Sequence, residues 1–575
     1  MEKKWIIRQS VDRTTIDSFR SELKVNPVVA ELLLQRGINT FEKAEHFFRP
    51  KLEDLHDPFL MKNMPEAVHR LEKAINEQEN ILLFGDYDVD GTTAVALMYT
   101  FLSKHHSHLD YYIPDRYTEG YGLSKKGIDF AKENGCSLLI LLDCGIKSVE
   151  LIEYGKSLGL DFIVCDHHQP GERIPDALVL DPKQVDCNYP YKELCGCGVG
   201  FKLLQGLSIR KGWKRADLYE LLDFVAVAIG ADIVPVTGEN RVLAHHGMRL
   251  LNEYPRTSFK RLLTLAKRSF PVTLTDVVFT IAPRINSAGR LYSGRHAVEL
   301  MVSEDTSLIE ELAHAIDNYN QERRELDAET TQEALEILGA DEWYTHAKST
   351  VVFNEGWHKG VVGIVASRLI ERHFKPTIVL TENDGKLTGS ARTINHFDIY
   401  NAILSCEDLL EQFGGHTYAA GLTLKKENYE AFRHRFDEVV QASLLLEDEL
   451  PTETVDLELN FDSIYERLEN RTLIPKLKRI LRQMEPHGPG NMQPVFYSGN
   501  VYSTNVRILK EAHLKLQVTQ PDTDVVLDAI GFNLADKELE VAAGVPFEMI
   551  YTLESNRWNG KESLQLNIKD IRAMI

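Results

Sequence analysis

No run in this chain is apolar enough to cross a bilayer, which takes about 20 consecutive apolar residues. The start, Met1-Glu2-Lys3-Lys4-Trp5, has no hydrophobic region of the signal-peptide kind. Cysteine is scarce: seven thiols, an odd number, are scattered over 575 residues and give no disulfide framework. These absences predict a cytoplasmic protein kept in a reducing compartment, with no membrane partner. Excess positive charge is missing too. The net charge is −21, which over the whole chain argues against a polyanionic partner. The deficit is uneven, however. Arg256, Lys260, Arg261, Lys267, Arg268, Arg284, Arg290 and Arg295 face one acid, Asp276, within 40 positions. Such a segment is either a solvated basic helix face or a local grip on phosphates, because screening limits charge interactions to about 10 Å at 0.1 M salt.

What is present is an ordinary globular composition, 43% hydrophobic and 26% charged. The length calls for about three or four domains of roughly 100–200 residues each. Residues 1–60 carry helical periodicity at Val28, Leu32, Leu33 and Leu34, break at Pro50 and show no chemistry, so they read as an N-terminal helical appendage.

The pattern then becomes alternating strands and helices. Ile81-Leu82-Leu83-Phe84 is a short buried strand, and Thr92 to Leu102 is a helix. Between them lies Gly85-Asp86-Tyr87-Asp88-Val89-Asp90-Gly91. If that turn is extended, its three carboxylates leave the same side of the chain, and they repel unless a cation sits among them. Taken alone, the segment reads first as a solvated acidic turn capping the next helix. Two further apolar strands end in the same way, Leu138–Leu142 before Asp143-Cys144-Gly145 and Phe162–Cys165 before Asp166-His167-His168. Near-continuous apolar strands separated by helices imply a parallel sheet covered on both faces, with ligands at its carboxyl edge. Leu221 to Ile229 is an apolar helical run that ends at Asp232, an acid needing a partner in so apolar a setting.

Asp88-Val89-Asp90, Asp143, Asp166-His167-His168 and Asp232, in that order and at those element ends, resemble the four motifs of the DHH phosphoesterase superfamily. The Gly85–Gly91 version is similar to that of the RecJ-type single-strand-specific exonucleases. The resemblance implies two divalent ions, with Asp88 on one, Asp90, His167 and Asp232 on the other, and Asp143 between them. Asp86 is an additional candidate ligand, since Phe84 stands where other superfamily members place a histidine. His167 is assigned to metal and His168 to the phosphate or a supporting hydrogen bond, because adjacent residues of an extended segment point to opposite sides. Carboxylates with imidazole favour Mn²⁺, with Mg²⁺ as the alternative, and a pair of ions about 3.5–4 Å apart activates water for in-line attack on phosphorus.

An acidic helical stretch over 301–345 reads as a connecting helix. A second α/β segment opens at Val351-Val352-Phe353 and carries Gly389-Ser390-Ala391-Arg392 and Phe413-Gly414-Gly415-His416. Ser390, Arg392, Gly414, Gly415 and His416 suit phosphate binding, and after a DHH domain they resemble the DHHA1 substrate-binding motifs. Over 451–575 five short alternating strands follow, with a hairpin turn at Asn559-Gly560. They predict a small barrel of the OB type, and Glu485–Asn491 resembles the RecJ segment that enters it.

The expected class is thus α/β: a DHH catalytic domain over 61–300, a DHHA1 substrate-binding domain over 346–450 joined by the long helix, and a C-terminal OB-type barrel. The resemblance implies processive 5′→3′ hydrolysis of single-stranded DNA to 5′-mononucleotides in repair and recombination. A monomer working with a single-strand-binding protein and a helicase is expected. Arg116, Tyr117, Arg284, Asn286 and Arg290 are candidate contacts to phosphate or base. The competing readings are a nanoRNase or cyclic-dinucleotide phosphodiesterase, which would share the metal residues but lack the barrel, an inorganic pyrophosphatase, which would carry a different second domain, and a non-catalytic Cdc45-like scaffold, which would have lost the motifs. Cys195-Gly196-Cys197 reads as a loop, lacking zinc-site spacing, and Gly196–Gly200 as a packing turn.

Overall fold

The structure, a computed structural model, describes residues 2–445, 448–467, 473–521, 523–542, 544–558 and 561–574. The chain divides into two compact units, Ile7–Asp317 with Thr454–Ile575, and Asn318–Glu453 with Met1–Ile6.

The larger unit is built on a five-stranded parallel sheet. Its strands lie in the order Leu109–Tyr112, Ile81–Gly85, Leu138–Leu142, Asp161–Cys165, Leu178–Leu180. Ile81–Gly85 and Leu138–Leu142 are buried at every position, as the unbroken apolar runs require of central strands covered on both faces. From Ile81–Gly85 the chain first crosses to the outer strand Leu109–Tyr112 and then back to Leu138–Leu142 on the other side. The two central strands therefore flank the reversal of strand order, beside which α/β sheets bind ligands. In register, Gly85 stands beside Leu142 and Leu142 beside Cys165. Asp86, Asp143 and Asp166 thus leave the sheet side by side.

The same unit ends in a closed barrel. Phe496–Leu509, His513–Thr519, Leu527–Gly531, Lys561–Ala573 and Phe547–Trp558 neighbour one another in turn, and Phe496–Leu509 pairs back onto Phe547–Trp558. Closure removes the exposed edges that an open sheet would offer. The expected hairpin turn at Asn559-Gly560 lies outside the described residues.

Three expectations change. The N-terminal residues are more than an appendage. The helices Arg13–Leu23, Pro27–Gln35 and Phe41–Phe48 bury Ile16, Phe19, Leu32, Leu33 and Phe47 in one apolar core with Leu477 of the helix Lys476–Gln483 and barrel residues such as Phe496, Leu514 and Tyr551. Arg241 locks this junction, its guanidinium donating to the carbonyls of Phe47, Met484 and Glu485 while lying 3.8 Å from the Phe47 ring centre. Second, the helix after the aspartate turn spans Val89–Leu102, so Asp90 is helical and the three carboxylates do not alternate along an extended segment. Third, Cys195–Cys197 is no loop. Cys195 caps a helix spanning Gly196–Lys211.

Inside this unit Lys202 and Glu239 form a fully buried ion pair at 2.6 Å. The Tyr189 hydroxyl and the His56 backbone N–H satisfy the remaining carboxylate capacity at 2.6 and 2.9 Å. A buried pair is tolerable only when its hydrogen bonds are completed in this way.

The smaller unit holds a mixed five-stranded sheet in the order Leu410–His416, Ala419–Lys425, Lys386–Arg392, Thr377–Asn383, Thr350–Phe353. Only the last two of these strands are parallel neighbours. The 35-residue helix Thr306–Ala340 is the expected connector.

Candidate metal centre

Asp86, 1% exposed, begins the turn after the first central strand. Its Oδ1 accepts from the Gly122 amide at 3.2 Å. Gly91 presses on the same backbone: a Cβ there would lie 2.5 and 2.6 Å from the Asp86 carbonyl oxygen and amide nitrogen. Asp88 caps the helix, Oδ1 accepting from the Asp90 and Gly91 amides at 3.0 and 3.2 Å. Asp90 points into the protein. Its two oxygens accept from the Gly196 and Cys197 amides at 2.6 and 2.7 Å. Those amides open the 16-residue helix Gly196–Lys211, whose positive end stabilises an anion.

Asp143 adopts the left-handed region, φ 62°, while its amide donates to the Cys165 carbonyl at 2.9 Å and its own carbonyl accepts from the Tyr121 hydroxyl at 3.1 Å. Asp166 points back into the protein and is saturated: it accepts from the amides of Ile146, His167 and His168 and, at 2.7 Å, from His168 Nδ1. His168 Nε2 lies 3.1 Å from the Tyr121 hydroxyl. His167 Nε2 stands 3.1 Å from Asp143 Oδ1, 3.5 Å from Asp232 Oδ2 and 3.8 Å from Asp90 Oδ2. Asp232 caps the carboxyl end of the helix Leu222–Ala231 with its side chain 28% exposed. It is therefore less enclosed than its apolar sequence setting suggests. The two imidazoles do not diverge as an extended segment would make them. Their ring centres are 4.6 Å apart, because the strand ends at Cys165 and the chain turns there.

Two sets of donor atoms lie within 4.8 Å of one another, Asp90/His167/Asp232 and Asp143/His167/His168. Asp86 Oδ2, Asp143 Oδ1 and both ring nitrogens of His167 are buried without a hydrogen-bond partner. Buried polar atoms are almost always satisfied, so the orphan atoms of Asp143 and His167, which belong to these donor sets, fit a divalent cation, and carboxylate with imidazole suits Mn²⁺ or Mg²⁺.

The electrostatics agree. Burial pushes the Asp90 carboxyl up to about 7 against the Cys197 and Gly196 amides, with the Asp88 charge adding to the rise. Burial, then Asp90 and Asp88, lifts Asp232 to about 8, and the negative end of its own helix acts in the same sense. Burial and neighbouring aspartates raise Asp143 and Asp86. His167 falls to about 3 through burial and the His168 charge, which keeps it a neutral ligand. Burial lowers His168, but Asp166 outweighs it and brings the imidazole to about 8. Asp166 drops to about 2 despite burial, through the His168 hydrogen bond and charge.

A pH dependence follows with a definite sign. Asp90 and Asp232, near 7 and 8, keep protons when folded that carboxyls at the ordinary 3.8 give up. The metal-free folded protein therefore binds more protons than the unfolded chain, and its stability falls as pH rises toward those values. Metal binding must expel the same protons. Mn²⁺ affinity is expected to climb between about pH 6 and pH 8. Calorimetry in buffers of different ionisation heat should record proton release at neutral pH, and a pH-independent affinity without release would contradict these assignments.

The candidate substrate contacts are less uniform. Arg116 lies over the Tyr87 ring at 5.0 Å, and the Tyr117 hydroxyl donates to the Arg290 carbonyl. Gly289 lets the helix Leu274–Leu291 close on this turn: a Cβ there would stand 2.5 Å from the Tyr87 carbonyl oxygen. Asn286 is half-buried on the same helix. Arg284 is committed elsewhere. It is 9% exposed, held by Asp317 at 2.7 Å and by the Thr280 carbonyl at 2.9 Å. Half of the basic stretch is paired in this way, since Arg256, Arg261 and Arg268 also meet acids, Asp223, Glu310 and Asp276.

In the smaller unit, Arg392 donates to Ser390 Oγ at 2.6 Å. Gly363, in the first turn of the helix Val362–His373, leaves room for both: a Cβ there would be 2.9 Å from Arg392 and 3.0 Å from Ser390 Oγ. Gly414 and Gly415 lie within the exposed strand Leu410–His416 rather than in a turn. His416 and Arg392 both pair with Ala419 across the middle strand, as Gly414 and Ser390 do with Gly421. These motifs thus occupy neighbouring rows.

Sequence reasoning had not singled out Tyr121 or the Gly196 and Cys197 amides. The glycines of Gly-Cys-Gly-Val-Gly before a helix were the available signal for the latter.

A parallel sheet with acids and paired histidines converging at its strand-order reversal defines a DHH-type phosphoesterase domain. Residues 80–229 match the DHH family, N-terminal domain, residues 346–442 the DHHA1 domain, and residues 466–570 the RecJ OB domain. The chain is 37% identical to the single-stranded-DNA-specific exonuclease RecJ of Bacillus subtilis, over 99% of its own length and 70% of that protein. It is 32% identical to the Escherichia coli exonuclease of the same name, over 98% of each. Thermus thermophilus RecJ in complex with Mn²⁺ superimposes with a TM-score of 0.84 at 26% identity, over all of this chain and 80% of that one. The Mg²⁺ complex gives 0.77 at 25% identity, over all of this chain and 79% of that one. The chain belongs to the RecJ family of single-stranded-DNA-specific exonucleases.

Proposed function

We propose that this protein hydrolyses single-stranded DNA from the 5′ end with two divalent ions, Mn²⁺ or Mg²⁺, releasing 5′-mononucleotides in repair and recombination. The observation that carries the proposal is the meeting of buried, unsatisfied atoms of Asp143 and His167 with Asp90, Asp232 and His168. When bound, a metal pair supplies an acidified water and offsets charge building on the phosphoryl oxygens.

The chain's own residues do the rest. Asp88, Asp86 and Asp143 would hold one ion, and Asp90, His167, Asp232 and Asp143 the other. The helix end at Gly196 and Cys197 fixes Asp90, and neutral His167 keeps a lone pair for a ligand bond. Asp166 orients His168, whose charged imidazole faces the Tyr121 hydroxyl and supports an oxygen of the phosphate. Arg116, Tyr117, Asn286 and Arg290 lie beside the aspartate turn and hold the strand; Arg284 acts through its pair with Asp317. Ser390, Arg392, Gly414, Gly415 and His416 hold phosphates on the 346–450 domain, supported by a helix end at Gly363. The barrel over 451–575 guides the incoming strand. A closed barrel beyond the DHHA1 segment favours long strands over the dinucleotides of a nanoRNase, and the intact ligand set disfavours a Cdc45-like scaffold. The protein acts in the cytoplasm as a monomer, in concert with a single-strand-binding protein and a helicase; its seven thiols, all free and buried, suit that compartment.

The test is a time course on 5′-labelled and 3′-labelled single strands. With Mn²⁺, the 5′ label should appear at once as mononucleotide while the 3′-labelled strand shortens progressively. Chelation should stop both. Equal attack on duplex ends, or faster turnover of dinucleotides than of long strands, would overturn the proposal.

A further inference from the structure

The residue after Asp232 is out of character with its conformation. Where the helix Leu222–Ala231 ends, Ile233 adopts φ 59°. Among the described residues with positive φ it is the one β-branched side chain; the others include Asn63, Asn500, Asn505, Asn533, Asp143 and Asp384. A Cβ-branched residue is a true outlier there, whereas glycine and asparagine enter this region readily. The chain on either side enforces the conformation. The Asp232 backbone N–H donates to the Ala228 carbonyl at 2.9 Å, and two residues on the Pro235 carbonyl accepts from the Tyr191 hydroxyl at 3.1 Å and the Asn240 side-chain Nδ2 at 3.0 Å.

Nothing in the fold uses the side chain in return. Ile233 is 65% exposed, so neither burial nor a core contact offsets the strain. Strain kept at an exposed position beside a functional group points to a use outside the fold. The position is specific. Asp232 Oδ2 lies 3.5 Å from His167 Nε2, and consecutive Cα atoms are about 3.8 Å apart, which places Ile233 within one nucleotide's reach of the ligand cluster. That cluster is otherwise made of charged and polar groups, which hold a phosphate and say nothing about the nucleoside attached to it.

We propose that Ile233 is a substrate-binding residue that grips the terminal nucleotide by apolar contact with its sugar and base. This rests on the nuclease reading above. The experiment compares Ile233→Asn with Ile233→Val in the full chain loaded with Mn²⁺. Asparagine suits the left-handed backbone but removes the apolar surface; valine keeps both surface and strain. For Ile233→Asn we expect a melting temperature at or above wild type and unchanged Mn²⁺ affinity by calorimetry. Its KM for a 5′-phosphorylated oligothymidylate should rise about 10-fold, close to the worth of burying an aliphatic side chain, with kcat less affected. Ile233→Val should raise KM by no more than about 4-fold, the worth of one buried methylene, and so by less than Ile233→Asn. Two results would overturn the proposal: wild-type KM in Ile233→Asn, or a fall in its melting temperature and Mn²⁺ affinity together, which would make Ile233 a prop for Asp232. A wild-type enzyme that leaves single strands intact would remove the nuclease reading itself, and this proposal with it.

Discussion

Asp143→Asn is expected to lower strand hydrolysis by about 10³-fold or more, since it removes a ligand charge from a site whose charge stabilisation is worth several kcal/mol. Asparagine is the informative replacement because it tolerates the left-handed backbone that Asp143 adopts, and it retains the carbonyl shape. The fold should survive. Asp143 is 2% exposed, and its carboxyl is raised by burial and by Asp90, Asp88, Asp232 and Asp166. Without metal, that crowd of like charges destabilises the native state, so neutralising one member should raise the melting temperature of the stripped protein while Mn²⁺ affinity falls. Loss of activity with a higher metal-free melting temperature would separate a ligand from a merely structural acid. Undiminished hydrolysis would sink the assignment.

Gly196→Ala should be nearly as damaging, although helix propensity alone predicts the opposite, since alanine is the best helix former. The added methyl would lie 2.5 Å from both Cβ and Oδ1 of Asp143. That separation is below any tolerated contact, so either Asp143 or the start of the helix Gly196–Lys211 has to move. The Gly196 and Cys197 amides that hold Asp90 would move with it. A displacement of about 1 Å in a positioned group costs on the order of 10²-fold in rate. Gly198→Ala is the control, because its nearest neighbours, Cys195 Sγ and Leu194, stand at ordinary contact distances of 3.5 Å. It should keep near-wild-type rates and gain slightly in stability. Equal rates for the two variants would show that the Gly196 approach has no bearing on catalysis.

The α/β class and the sheet edge were legible because they depend on local pattern. Ile81–Gly85 and Leu138–Leu142 are apolar throughout as central parallel strands must be, and the acids follow directly at their carboxyl ends. Features resting on distant partners were not legible. Asp90 is held by amides more than a hundred residues downstream, and a glycine-rich run does not announce which carboxylate it will meet. Arg284 looked like a free phosphate donor because Asp317, its partner, lies on another helix. The opposite directions expected of His167 and His168 assumed an extended backbone, whereas the strand stops at Cys165. The two glycines before His416 carry no strand signal of their own, yet Gly414 and Gly415 are paired in a strand with Gly421 and Ala420.

The shared core of the first helices and the final barrel has a consequence during synthesis. Ile16, Phe19, Leu32 and Leu33 find their burial against Phe496, Leu514 and Tyr551, residues the ribosome delivers hundreds of codons later. Until then the nascent chain carries a sticky amphipathic leader with no place to dock, the circumstance in which chaperones are engaged. Once the barrel strands form, the two segments bury each other, so removing either would expose the apolar face of its partner.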